Sequence, residues 1–141
     1  MSRRAMEKVL GIDARRDLPE FRRETLVDWF EGRRSATTSN DGKSTRCAIL
    51  YPDLYANHVQ VERVKAAVRV LEALGVDVVV PPVASSGRAP LSQGMIDTAR
   101  DHAERVAADL EPHLTAGRDV VVIEPGDQAM FEREYKRLLD E

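Results

Sequence analysis

Beyond residue 45, short apolar runs alternate with stretches of helical spacing, in the order strand, helix, strand, helix, strand, helix. Arg46 to Tyr51, centred on Cys47-Ala48-Ile49-Leu50, has the near-continuous apolar character of a buried strand and is halted by Pro52-Asp53. Residues 59–74 place Val61, Val64, Val68, Leu71 and Leu74 along one helical face, with Gly75 as the C-terminal stop. Val76-Asp77-Val78-Val79-Val80 is a β-branched strand ended by Pro81-Pro82. A long helical region over 92–116 follows, with Ile96, Ala99, Ala103, Val106, Ala107 and Leu110 facing inward and Pro112 expected to break or kink it. Asp119 to Ile123 is the third strand, and 127–139 the last helix, with Met130, Phe131, Tyr135, Leu138 and Leu139 as its apolar side.

The first part of the chain is helical in pattern. A short helix over 2–10 carries Met6, Val9 and Leu10 on one side and stops at Gly11. In Asp17-Leu18-Pro19-Glu20, Asp17 is placed to accept an N-cap hydrogen bond, Pro19 suits a first turn and Glu20 reaches back. That signal predicts a helix over 18–33 whose apolar stripe is Phe21, Leu26, Trp29 and Phe30. Residues 35–45 are small and polar, which is linker composition. The chain therefore divides into an N-terminal helical arm (1–34), a linker (35–45) and an α/β unit (46–141). The fold class is α/β, a small three-layer parallel sheet of three strands joined by right-handed crossovers. Three strands leave exposed edges, so the arm or another chain is expected to cover one of them.

Composition narrows the function classes. At 141 residues the chain has room for one domain with an extension, and 43% hydrophobic against 32% charged residues is an ordinary globular balance. A formal charge of -3 gives no electrostatic basis for binding nucleic acid. The arginines of the arm alternate with Glu20, Glu24, Asp28 and Glu31, as on a solvated helix face. No run approaches the roughly 20 apolar residues of a membrane span, and none follows Met1 as a signal peptide, so a cytoplasmic protein is expected. Cys47 is the single cysteine, which excludes an internal disulfide and a multi-thiolate metal site within one chain. Its place in a strand marks it as a small buried hydrophobe.

Two loops carry the candidate chemistry. Val83 to Gly94 follows the second strand and Glu124-Pro125-Gly126-Asp127 follows the third, where ligands bind in open α/β sheets, outside the carboxyl ends of the strands. Ser85-Ser86-Gly87-Arg88 has the backbone donors, hydroxyls and guanidinium of an anion-binding loop. The bland alternative is a relic turn in which Arg88 pairs with Asp127 or Glu124. His58, Glu124 and Asp127 are of metal-ligating type without ligand spacing, and His58 is better placed to cap a helix beginning near Val59. His102 and His113 are expected on the surface of the long helix. Neither serine has an adjacent histidine or a nucleophile-elbow context.

Several motifs in order resemble one family. Val9-Leu10-Gly11-Ile12, Arg16 to Phe21 and Trp29-Phe30 resemble the segment before the C-terminal cysteine-rich (CCG) domain of FAD-linked iron-sulfur oxidoreductases of the D-lactate and glycolate dehydrogenase type. Tyr51-Pro52-Asp53 with Asn57 is similar to that domain's Phe-Pro-Asp-x-Phe-x-Asn motif. Ser85-Ser86-Gly87-Arg88-x-Pro90-Leu91-x-x-Gly94 is similar to Cys-Cys-Gly-Arg-Pro-Leu-x-x-x-Gly, and Glu124-Pro125-Gly126-Asp127 to Glu-Pro-Ser-Cys. The resemblance implies a pocket built from Asp53, Asn57, Ser85, Ser86, Gly87, Arg88, Glu124 and Asp127. It also shows what is replaced: Ser85 and Ser86 stand at the paired cysteines, Asp127 at the later one, and Leu54 where heterodisulfide-reductase-like relatives carry another.

Iron-sulfur clusters need soft thiolates, which hydroxyls and one carboxylate do not replace, so no cluster and no other cofactor is expected. The chain has no Gly-x-Gly-x-x-Gly after a strand and no ferredoxin-like cysteine run. The expected function is that of a cluster-free accessory or structural subunit, partnered by a flavin-containing dehydrogenase subunit or by further copies of itself. The alternatives are a small anion or carboxylate binder using the vacated pocket with Arg88 as principal contact, and a residual redox role, through Cys47 or a shared cluster, in a multi-subunit oxidoreductase.

Overall fold

A computed structural model describes residues 3–11, 13–36 and 46–139. Its centre is β1 (Arg46–Leu50), flanked by β2 (Val76–Val79) and β3 (Asp119–Val121) in the order β2-β1-β3, all parallel. Ala48 lies opposite Val78 on one side and Asp119 on the other. The strands end slightly earlier than the apolar runs predict, because Tyr51, Val80, Val122 and Ile123 continue beyond the ladder as inward-facing loop residues.

The period of two in β1 sends Leu50 to one face and Ile49 and Tyr51 to the other, and each face has its own core. On the first, Leu50, Val78 and Val80 pack with Val61, Val64 and Val68 of α4 (Val61–Ala73) and Ala56 of α3 (Leu54–His58). On the second, Ile49 and Tyr51 pack with Ala99, Ala103, Val106 and Leu110 of α6 (Ile96–Thr115) and with Met130, Tyr135 and Leu138 near the C-terminus. The result is the expected small three-layer α/β fold.

The arm differs in detail. Helix α1 (Arg3–Leu10) ends at Gly11, whose φ of 66° suits glycine, but Val9 and Leu10 face solvent. The helix expected over 18–33 begins only with α2 (Leu26–Ala36). Thr25 caps it reciprocally: Asp28 N–H donates to Thr25 Oγ1 at 3.0 Å, and Thr25 N–H donates to Asp28 Oδ2 at 3.2 Å. Asp17 instead accepts from Arg3 at 2.8 Å, and Phe21 is exposed. Helix α2 lies on the α3/α4 layer, with Leu26 and Phe30 inside the first core. Lys65, buried beneath Trp29, donates to Glu24 at 2.6 Å and to Glu62 at 3.0 Å. Leu26 and Phe30, four residues apart, share one face of α2 and enter the first core, so α2 joins the layer of α3 and α4 rather than covering an edge strand. The first two residues of the expected linker complete α2, and 37–45 lie outside the described residues.

Other boundaries also move. The helix expected over 59–74 is α4, beginning at Val61, and a short helix the pattern did not announce, α3, precedes it with Asp53 as its cap. Leu74 is exposed beside Gly75, which ends α4 at φ 79°. The long helix expected over 92–116 is α6, which starts at Ile96, itself exposed in the first turn, and a short α5 (Arg88–Ser92) precedes it. Pro112 does not break α6, which runs on to Thr115. The last helix starts at α7 (Pro125–Ala129), capped by Glu124, passes through a π-helical turn, Met130–Glu134, and ends as α8 (Tyr135–Leu139). Cys47 is only partly buried. Among the described residues no helix is long and apolar enough to cross a membrane.

Candidate functional site

The crossover from β1 to β2 uses one face and that from β2 to β3 the other, so the loops after the strands diverge and leave a crevice at their carboxyl ends. A cavity of about 290 Å³ occupies it, lined by Tyr51, Leu54 and Tyr55 after β1, Ser85, Ser86 and Arg88 after β2, and Glu124 and Asp127 after β3. Both loops singled out in the sequence therefore meet.

The Ser85-Ser86 loop is held by three consecutive carbonyls. Tyr51 Oη donates to Ala84 O at 2.9 Å, His102 Nδ1 to Ser85 O at 3.1 Å and Tyr135 Oη to Ser86 O at 3.0 Å. Since a carbonyl only accepts, the imidazole carries its proton on Nδ1. Asp109 Oδ2 accepts from Ala84 N–H at 3.2 Å on the same loop. Phe131 stands edge-on between the two tyrosines, 5.0 Å from each ring centre, a position supplied by the π-helical turn. Burial, reinforced by the nearby acids, raises the pKa of both Tyr51 and Tyr135 well above the ordinary value of 10, so both remain donors. Gly87 follows at φ 82°, and a Cβ there would come within 2.8 Å of Ala99 O: the loop passes against α6 where only glycine fits.

Within the cavity the polar groups satisfy one another. Ser86 Oγ donates to Asp127 Oδ1 and accepts from Arg88 N–H at 3.3 Å. Arg88 Nη1 donates to Glu124 Oε1 at 3.2 Å, so the choice left open between Asp127 and Glu124 falls to Glu124. The same Glu124 oxygen caps α7 by accepting from Gly126 N–H at 3.4 Å. Among the described residues no buried side-chain nitrogen or oxygen lacks a partner.

Asp53 and Asn57 lie outside the lining. Asp53 is buried as the N-cap of α3, accepting from Tyr55 N–H at 2.8 Å and Ala56 N–H at 2.9 Å. Burial pushes its carboxyl above the usual value, with Asp127 and Glu124 adding in the same direction against the two backbone donors. Asn57 is a fastener for the arm: its Oδ1 accepts from Val27 N–H at 3.1 Å. His58, expected to cap the following helix, sits in the last turn of α3, bonded to Asn57 and 6.2 Å from the Phe21 ring, away from Glu124 and Asp127. The cap position of α4 falls to Gln60, without a side-chain bond. His102, expected on the surface, is a loop clamp, and His113 Nδ1 accepts from Arg118 Nη1 at 2.7 Å. Of the residues not assigned to the pocket from sequence, Tyr51 and Tyr55 fall within the motif running from Tyr51 to Asn57, whereas the clamps His102 and Tyr135 lie in no motif.

The donor set does not fit an iron-sulfur cluster: the positions facing the cavity supply hydroxyls, carboxylates and Leu54, and Cys47 is not among them. Among the described residues no three His, Cys, Asp or Glu side chains are grouped to hold a metal ion. Neither serine hydroxyl contacts an imidazole, and Ser86 is already committed to Asp127. An incoming anion would have to draw Arg88 from Glu124 with the Asp127 carboxylate alongside. No family model matches the chain, and no curated protein and no solved structure shows significant similarity to it.

Proposed function

We propose that this chain is a cluster-free, non-catalytic relative of the cysteine-rich domain of FAD-linked iron-sulfur oxidoreductases, serving as an accessory or structural subunit of a flavin-containing partner. One observation carries the reading. Leu54, Ser85, Ser86 and Asp127, the four positions at which the resemblance implies cysteines, come from three separate segments, one following each strand, and wall the same cavity. The Ser86–Asp127 hydrogen bond and the Arg88–Glu124 pair then do what a bare hole left by a lost cluster would require, which is to satisfy its polar lining from within. A committed Arg88 favours this reading over an anion-binding module.

The test is affinity purification of the tagged chain from its native cell, followed by flavin absorbance and identification of retained subunits. A stoichiometric flavin-containing dehydrogenase subunit is expected. A monodisperse chain that retains none contradicts the subunit role. The combined replacement Leu54→Cys, Ser85→Cys, Ser86→Cys and Asp127→Cys probes the ancestry separately: anaerobic reconstitution with iron and sulfide should yield visible cluster absorbance, and a folded variant that takes up no iron removes the link to a cluster site.

A further inference from the structure

Strand β3 is an edge of the sheet, and among the described residues nothing pairs with its outer side. Tyr51 N–H donates to Val121 O at 2.9 Å, so the backbone polar groups of Val121 face β1. Those of Val120 and Val122, one residue either way, point outward. The opposite edge is blunted in the usual ways, by Asp77 within β2 and by Pro81-Pro82 just beyond it. On the β3 edge Asp119 opens the strand and Glu124-Pro125 follows it, and between them Val120-Val121-Val122-Ile123 is an uninterrupted run of four β-branched residues, each only partly buried. Beside it lies an apolar groove of about 650 Å³, walled by Leu110, Leu114, Val122 and Phe131.

We propose that this edge is the interface of a symmetric homodimer, in which two copies of the segment Arg118 to Glu124 run antiparallel across a two-fold axis at Val121. The occupant is a second copy because the segment is complementary to itself in that register. Val120 stands opposite Val122, so their outward N–H and C=O groups exchange bonds on both sides of the axis. Arg118, bonded to His113 through Nη1, stands opposite Glu124, bonded to Arg88 through Oε1, and their second terminal atoms, Nη2 and Oε2, can form an opposite-charge pair at each end. Centring on Val120 instead sets Arg118 against Val122 and Glu124 against Ala116; centring on Val122 sets Arg118 against Gly126 and Glu124 against Val120. Only the Val121-centred register matches both the backbone groups and the charges. It joins two three-stranded sheets into one of six, and the inference stands independently of the proposed function.

Sedimentation equilibrium of the full chain is expected to show a dimer that Arg118→Glu weakens by about tenfold or more, since the substitution sets like charges opposite each other twice. In a Cys47→Ser background, Val121→Cys should form an intermolecular disulfide on mild oxidation, because facing residues of a non-hydrogen-bonded antiparallel pair lie about 4.5 Å apart between Cα atoms. Asp119→Cys, which faces Ile123, should not. A chain that stays monomeric, a dimer that Arg118→Glu leaves intact, or one that Val121→Cys fails to cross-link overturns the assignment. Circular dichroism of each variant separates loss of dimer from loss of fold.

Discussion

The guanidinium of Arg88 lies in the space that a side chain on Gly126 would occupy, and from there it reaches Glu124 Oε1 at 3.2 Å. Glycine at 126 thus makes room for the neighbour and is not demanded by its own backbone, which has no positive φ. The pair closes the mouth of the cavity, and about half of the arginine side chain remains exposed (53%), so the pair itself is worth at most about 1 kcal/mol.

The arrangement predicts a coupling. Gly126 lies in the first turn of α7, where alanine should gain up to about 1 kcal/mol of helix propensity. In an Arg88→Ala background, Gly126→Ala should realise that gain. With Arg88 present it should be cancelled by displacement of the guanidinium. A double-mutant cycle by urea denaturation should return a coupling of about 0.5–1 kcal/mol, and strict additivity would contradict the packing described.

Asp53 sets a pH dependence. Its folded-state carboxyl lies above the ordinary value of 3.8, so the charged form is disfavoured by folding. The stability associated with it is present in full below 3.8 and is lost as pH rises through the elevated folded value. Asparagine keeps the acceptor that caps α3 and removes the charge. Asp53→Asn should therefore match or exceed the wild type in stability at pH 7 and lose that advantage below 3.8, whereas Asp53→Ala, which forfeits both cap bonds, should cost about 1–2 kcal/mol. Thermal melts of the three proteins across the acid range measure the difference.

What the sequence made legible, and what it did not, follows from the range of the interactions. The β-branched runs at 76–80 and 119–123 announce strands by local pattern, and the parallel topology then brings the loops that follow them to one end of the sheet. The convergence of Ser86 with Asp127 was therefore foreseeable from order alone. The clamps on that loop were not: Tyr51, His102 and Tyr135 reach their carbonyls across 33, 17 and 49 residues of chain, and although Tyr51 lies in a motif, a bond to a backbone carbonyl leaves no trace of its partner in the sequence. The arm failed for a different reason. Asp17-Leu18-Pro19-Glu20 is a strong local start signal, yet the helix needs Leu26 and Phe30 on the core, and packing selected the later Thr25-x-x-Asp28 box, which a search admitting aspartate at its last position would have found.

The tyrosine clamps predict both a stability loss and a spectroscopic signature. Tyr135→Phe leaves the buried Ser86 carbonyl without its donor and should cost about 1–3 kcal/mol, with Tyr51→Phe similar through Ala84. Because folding raises both phenols above the ordinary value of 10, the stability they confer is complete below that value and is lost above it. In an alkaline titration followed by phenolate absorbance, these two rings should ionise only together with loss of the fold. Two independent phenolate steps from native protein near 10 would contradict their burial.

Leu26 decides whether the arm is an appendage or part of the body. It is fully buried, in one cluster with Leu50 of the central strand and Val61, Val64 and Val68 of α4, while Asn57 anchors the backbone beside it at Val27. Leu26→Ala removes three buried carbons from that cluster, and surroundings fixed by the sheet and α4 can close the gap only in part. A loss of about 2–5 kcal/mol is expected. The unfolding transition should shift as a whole, since the arm and the sheet share one core, and tryptophan fluorescence of Trp29 should change together with far-UV circular dichroism. An arm that melted first, with the sheet retaining wild-type stability, would mean that α2 is dispensable.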